Sequence, residues 1–208
     1  ARKPTKQDLL LEAGLDIFYE KGFDRATIDD IVSRANCGKG TFYRYFTSKE
    51  ALFDALENRF RDYLLTELET CCPYTMPPAE FMQAAMQITI RIFKQHQRLG
   101  LVKFARDQQT GDRAENCHPK HLPSIVYLHK YLQQQIEKGK IKPFKPETIT
   151  STLFGAAHFY LFRDYKLGLP VTSQELEETV EIILKGVLHN DSPQTDSRPH
   201  AFLSAHDH

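Results

Sequence analysis

No apolar run in this chain approaches the ~20 residues that span a bilayer. No apolar leader core follows the basic start Ala1-Arg2-Lys3-Pro4-Thr5-Lys6-Gln7. These absences argue against a membrane protein and a secretory leader, so we expect a cytoplasmic protein. Cysteine is sparse: Cys37, Cys71, Cys72 and Cys117, with no CxxC pair. That excludes a disulfide framework and a zinc-finger spacing, and leaves four reduced thiols. Neither sign of charge is in surplus, with 27 Lys and Arg against 27 Asp and Glu. A nucleic-acid-binding domain often has a pI above roughly 9, so a DNA-binding function would have to rest on segregated charge. No stretch sustains the two-residue alternation of a half-buried strand, and no internal repeat is visible.

What remains is helical. The 208 residues are 41% hydrophobic and 26% charged, which suits one ordinary domain plus a small second one. Leu10, Ala13, Gly14, Ile17 and Phe18 mark one face of a first helix, which Gly22 ends. Thr27 with Asp30 three residues on approximates a capping box for a second helix, with Ile28, Ile31, Val32 and Ala35 inside. Asn36, Cys37 and Gly38 break it, and a third short helix runs over 39–46. Thr47-Ser48-Lys49-Glu50 reads as a further capping box opening a long helix over about 48–70. Its apolar stripe is Leu52, Phe53, Leu56, Phe60, Tyr63, Leu64 and Leu68. Pro73, Pro77 and Pro78 forbid continuation beyond it. Helical patterns resume near 79–98, 100–110, 120–139, 146–167 and 173–189, punctuated by Gly100, Gly111, Gly139, Gly168 and Pro170. The segment 190–208 is a polar tail.

The run Cys37-Gly38-Lys39-Gly40-Thr41-Phe42-Tyr43-Arg44-Tyr45-Phe46 first suggests a phosphate-binding loop. A Walker loop needs its lysine after the second glycine, and a dinucleotide fingerprint needs a third glycine where Tyr43 stands. Both need a preceding strand, and a helix precedes here. The surviving reading is a helix-turn-helix, with 28–35 and 39–46 as its two helices. Phe42 and Phe46 share one face at i and i+4 and turn inward. Lys39, Gly40, Tyr43 and Arg44 fall outside, where they offer phosphate and base-edge partners. Thr27 and Lys49 add donors near helix N-termini, and Arg2, Lys3 and Lys6 form a basic arm. Residues 1–50 carry nine Lys and Arg against eight Asp and Glu, so any basic face requires the acids of the first helix to point elsewhere. No Ser-His-Asp or Cys-His arrangement, catalytic carboxylate pair or cofactor loop stands out, so we expect no enzyme and no cofactor.

From Thr5 to Leu56 these residues resemble the tetracycline-repressor (TetR) family. The resemblance rests on Ala13, Ile17-Phe18, Gly22-Phe23, Thr27-Ile28, Ile31, Ala35, Gly38 through Phe46 and Lys49-Glu50-Ala51-Leu52. It implies an all-α protein with an N-terminal three-helix DNA-binding domain, here 1–50, and a ligand-binding and dimerisation domain, here 51–189. It implies a homodimer on a palindromic double-stranded DNA operator, usually a repressor, released by a small-molecule inducer. The matching positions suggest DNA contacts from Thr27, Lys39, Gly40, Thr41, Tyr43, Tyr45 and Lys49, and the outward position adds Arg44. Two departures appear: Cys37 stands where a small aliphatic is common, and Gly38 where a capping serine is common. Cys37, or the Cys71/Cys72 pair, leaves a redox-responsive regulator as the alternative.

In the C-terminal half the resemblance is architectural only. An aromatic-rich pocket is expected from Phe81, Met86, Phe93, Phe104, Tyr127, Tyr131, His158, Phe162 and Arg163, suited to a hydrophobic or aromatic inducer. The same aromatics at helical spacing also read as plain core. Gly155, Ala156 and Ala157, with the stripe Leu176, Val180, Ile183, Leu184 and Val187, are the candidate dimer face. Cys117, His118 and His121 carry metal-ligand chemistry in a polar loop, and we assign no metal there.

Overall fold

In the computed structural model, residues 3–110 and 122–188 are described. Among them are nine helices: α1 Lys6–Lys21, α2 Ile28–Arg34, α3 Lys39–Tyr45, α4 Lys49–Cys71, α5 Pro78–Gln95, α6 Gln97–Thr110, α7 Pro123–Glu137, α8 Pro146–Leu167 and α9 Ser173–Val187. The only pairing of extended backbone among the described residues is an isolated antiparallel bridge between Ile141 and Leu188. No described helix is long and apolar enough to cross a membrane.

Capping chemistry sets the helix starts. Thr27 accepts from the Asp30 amide while the Asp30 carboxylate accepts from the Thr27 amide, a complete capping box. Thr5 with Asp8 and Thr172 with Glu175 form two more, which the sequence reading did not single out. At α4 the expected box is only half present. Ser48 is the cap and accepts from the Ala51 amide, but alanine at the reciprocal position has nothing to return. Gly22 closes α1 at φ +81°, and Gly168 closes α8 at φ +63°, both in the region that favours glycine. Gly100 lies inside α6, and the break between α5 and α6 falls at His96 instead.

Two apolar cores result. The first joins α1, α2, α3 and the start of α4 through Leu10, Ile17, Phe18, Ile31, Phe42, Phe46, Leu52 and Phe53. It extends to Leu56 and also takes in Leu99 and Val102 of α6. The second runs from Leu64 of α4 through α5, α7, α8 and α9. α6 thus packs against the N-terminal helices, and Arg98 on it reaches Asp16 of α1 at 2.5 Å.

Gly14 sits where α1 crosses α4. A Cβ there would lie 2.5 Å from Leu52 Cδ2, and Leu52 is fully buried. Gly14→Val should therefore lower stability by about 1–3 kcal/mol through overpacking. Thermal unfolding reads this directly, and an equal or higher midpoint would contradict the close approach.

Candidate functional site

α3 is aimed by its own aromatic face. Phe42 and Phe46 are buried one turn apart, with centroids 5.8 Å apart. They lock the helix against α1 and α2, so the opposite side must face solvent. Lys39, Gly40, Tyr43, Arg44 and Tyr45 are exposed there, and Thr41 is half-buried. Tyr43 is 55% exposed and touches its neighbour Phe42 edge-on. A Cβ at Gly40 would meet nothing within 4 Å, so this part of the helix is bare. Asn36, at φ +48°, makes the tight turn between α2 and α3, while Gly38 caps α3 in extended backbone. Asparagine tolerates the left-handed region, so the turn needs no glycine there.

The charges sort into spent and available. Three of α1's four acids are drawn into ion pairs: Asp8 with Arg59, Asp16 with Arg98 and Arg34, and Glu20 with Arg34. Asp30 is held down to about 2 by Lys21 and by the Thr27 cap. Its stabilising effect is full above the ordinary carboxylate value of 3.8 and is lost as pH falls toward about 2. Lys39 pairs with Asp29 at 2.8 Å, which pushes its ammonium pKa up. Arg44 lies over the Tyr45 ring at 5.0 Å and donates to the Tyr45 hydroxyl. Lys3 and Lys6 of the basic arm are exposed, and Arg2 lies outside the described residues.

Two expected donors are engaged elsewhere. The Thr27 hydroxyl is used by the capping box. Lys49 donates to the carbonyls of Phe23, Asp24 and Ala26 at 2.9, 3.0 and 3.2 Å. Its ammonium clamps the α1–α2 loop rather than pointing at solvent. No local sequence signal marks this, because the acceptors lie 23 to 26 residues earlier. Lys49→Met should lower stability by about 1–3 kcal/mol without any DNA present. An unchanged unfolding midpoint, with weakened DNA binding, would return Lys49 to the DNA side.

The expected effector residues scatter. Phe81 and Tyr131 are buried and stacked with centroids 3.5 Å apart. The Tyr131 hydroxyl donates to the Met76 carbonyl, that of Tyr127 to Cys72, and that of Tyr74 to Tyr127. This tyrosine cluster sews the α4–α5 connection onto α7. Phe93 packs edge-on against Phe60. Of the seven whose side chains are described, only Met86 lines the small apolar cavity of about 10 Å³ between α5, α7 and α8, with Ala85, Thr89, Leu128, Leu153, Phe154 and Ala157. That is room for about one water. Phe162 points outward, which removes it from any interior pocket. Arg163 makes a bidentate pair with Glu175 that ties α8 to α9, so it too is structural. The side chains of Phe104 and His158, and the Cys117, His118 and His121 group, lie outside the described residues. Among described residues no group of His, Cys, Asp or Glu is placed to hold a metal.

The expected dimer stripe is also displaced. Val180, Ile183 and Val187 are buried within their own subunit, with Leu176 and Leu184 packed against the same core, and so is Ala157. Among the described residues of these two helices, the large apolar groups left outside are Phe159, Phe162 and Leu167 on α8, with exposed Gly155 one turn before Phe159, and Ile182 on α9, which is 71% exposed. An amphipathic pattern specifies a buried face without naming what buries it. Cys72 is buried, and desolvation pushes its thiol up to about 11, which disfavours the reactive thiolate.

Residues 10–56 match the family model for bacterial regulatory proteins of the tetR family. The chain is 24% identical over 196 residues to the HTH-type transcriptional regulator YhgD of Bacillus subtilis, spanning 89% of this chain and 98% of that protein. It is 24% identical over 186 residues to the HTH-type transcriptional repressor KstR2 of Mycobacterium tuberculosis, spanning 88% and 93%. The solved structure of KstR2, a ketosteroid transcriptional regulator, aligns with a TM-score of 0.65 at 22% identity, covering 91% of this chain and 98% of that one. A TetR family transcription regulator from Marinobacter aquaeolei aligns with a TM-score of 0.70 at 16% identity, covering 89% and 96%. The structural likenesses establish a shared all-α fold, and the match at 10–56 falls on the helix-turn-helix described above. Residues 10–56 thus carry the helix-turn-helix domain of the tetR family of bacterial regulatory proteins, and the relatives similar over the rest of the chain are transcriptional regulators rather than enzymes.

Proposed function

We propose that this regulator is a repressor that binds a palindromic operator as a homodimer and is released by a small apolar inducer. Residues 1–50 carry the DNA contacts, and residues 51–189 carry the effector and the dimer face. The observation that supports this most is the outward side of α3, where Lys39, Gly40, Tyr43 and Arg44 stand exposed on a helix that Phe42 and Phe46 hold rigid. A recognition helix so held can enter a major groove with phosphate and base-edge donors in place. Thr41 and Tyr45 flank that contact, while Thr27 and Lys49 shape it from behind. Exposed Phe159, Phe162 and Ile182 supply the apolar area for a two-fold partner.

The inducer enters the apolar core between α5, α7 and α8. Among the described lining residues Thr89 has the one hydroxyl, and it donates to the Ala85 carbonyl, so this lining favours an uncharged ligand. A likeness to a ketosteroid regulator points the same way. The cavity must open, and the ligand acts only by binding the opened form better than the DNA-binding form. α6 is placed to carry the change, because Leu99 and Val102 sit in the N-terminal core. The test is selection of bound duplexes from a random DNA pool by the full chain. The reading predicts a palindrome with half-sites separated by about one or more helical turns, roughly 34–36 Å each. Recovery of no consensus from reduced, refolded protein would overturn it.

A further inference from the structure

Asp29 is the one acid of the helix-turn-helix that takes no part in a cap, and within α2 it contributes only a favourable charge in the first turn. Asp30 completes the α2 capping box and pairs with Lys21. Asp29 caps nothing, is 68% exposed, and reaches from α2 to the Lys39 ammonium at the start of α3. Lys39 is itself 58% exposed and stands on the proposed DNA surface. A carboxylate there repels phosphate and occupies a cation that phosphate would use.

We propose that Asp29 is an internal competitor for DNA phosphate at Lys39, and that it limits the affinity and salt dependence of this regulator on DNA of any sequence. The inference rests on the α3 interface proposed above. When phosphate takes Lys39, the DNA releases about one counterion. The freed Asp29 carboxylate attracts cations from solution only weakly, which offsets part of that release. Lys39 therefore contributes less than one full phosphate contact to the salt dependence. The chain has no net charge to draw it to DNA, and this pair weakens the attraction further. The pair is exposed, so its effect is modest and is itself screened by salt.

The test is equilibrium titration of full-length wild type, Asp29→Asn, Asp29→Glu, Lys39→Met and the Asp29→Asn/Lys39→Met double variant. Each is titrated against a random-sequence duplex and the selected operator, over about 50 to 200 mM salt. Thermal unfolding confirms that each variant is folded, with Asp29→Ser as a second neutral replacement. We expect Asp29→Asn to steepen the slope of log affinity against log salt on both duplexes, by a fraction of the roughly 0.9 that one full phosphate contact contributes. It should tighten binding about three- to tenfold at the lowest salt, and Asp29→Glu should restore the wild-type slope. In the Lys39→Met background, Asp29→Asn should change the slope far less. An unchanged slope in Asp29→Asn would overturn the inference while leaving the interface reading intact. The same steepening in the Lys39→Met background would also overturn it, since general repulsion would then be the cause. A wild type that binds neither duplex overturns the interface reading and this inference together.

Discussion

Tyr43→Ala should bind the selected operator more than tenfold more weakly than wild type and unfold at the same temperature. The ring is 55% exposed and its contact with Phe42 is only edge-on, so truncation opens no cavity. Its phenol projects from the bare side of α3, beside Gly40, where a DNA surface can come close. Tenfold is about 1.4 kcal/mol, within the range of roughly 1–3 kcal/mol for a good base contact. Phe42→Ala is the contrasting control. That side chain is fully buried, and its loss costs about 3–5 kcal/mol. Both variants lose DNA binding, but only Phe42→Ala loses stability. Unchanged affinity in Tyr43→Ala would remove this residue from the mechanism.

Phe159→Glu should convert the proposed dimer to a folded monomer and abolish operator binding at concentrations that saturate the wild type. The side chain is 58% exposed in the isolated subunit, so a carboxylate there costs the monomer little. Across a two-fold axis each substituted face would meet its own copy, placing like charges in an apolar contact. One half-site cannot supply the affinity of two. Sedimentation measures the assembly, and a titration measures the DNA. A variant that remains dimeric would move the interface away from α8. The same experiment on Val180 or Ile183 would be uninformative, because those side chains are buried in their own subunit's core and their loss unfolds it.

Local signals in the sequence were the readable ones. The Thr27–Asp30 box, the stop at Gly22 and the inward pair Phe42 and Phe46 depend on neighbours within four residues, and each appears in the structure. The end of α8 at Gly168 follows in the same way, whereas the Thr172–Glu175 box that opens α9 was an equally local signal that went unread. Features set by distant partners were not readable. Nothing near Lys49 announces three carbonyls in the α1–α2 loop, and nothing near Asp29 announces Lys39. The aromatics of α5 and α7 are equally suited to a pocket or to a core. Stacking of Phe81 on Tyr131, with three tyrosine hydroxyls donating to main-chain carbonyls, places them in core. Arg163 carries the same lesson: its charge suggested a ligand, and its partner is Glu175 on the next helix.

The central claim is that DNA lies against α3 and the loops that flank it. The most direct measurement is amide hydrogen exchange along the full chain, with and without the selected duplex. The account predicts new protection over residues 27–47, strongest at the start of α3, with the α7–α8 connection unchanged. That connection carries Lys138, Lys140, Lys142 and Lys145 and is the obvious rival basic surface. Protection confined to it, with α3 exchanging as in the free protein, would contradict the account.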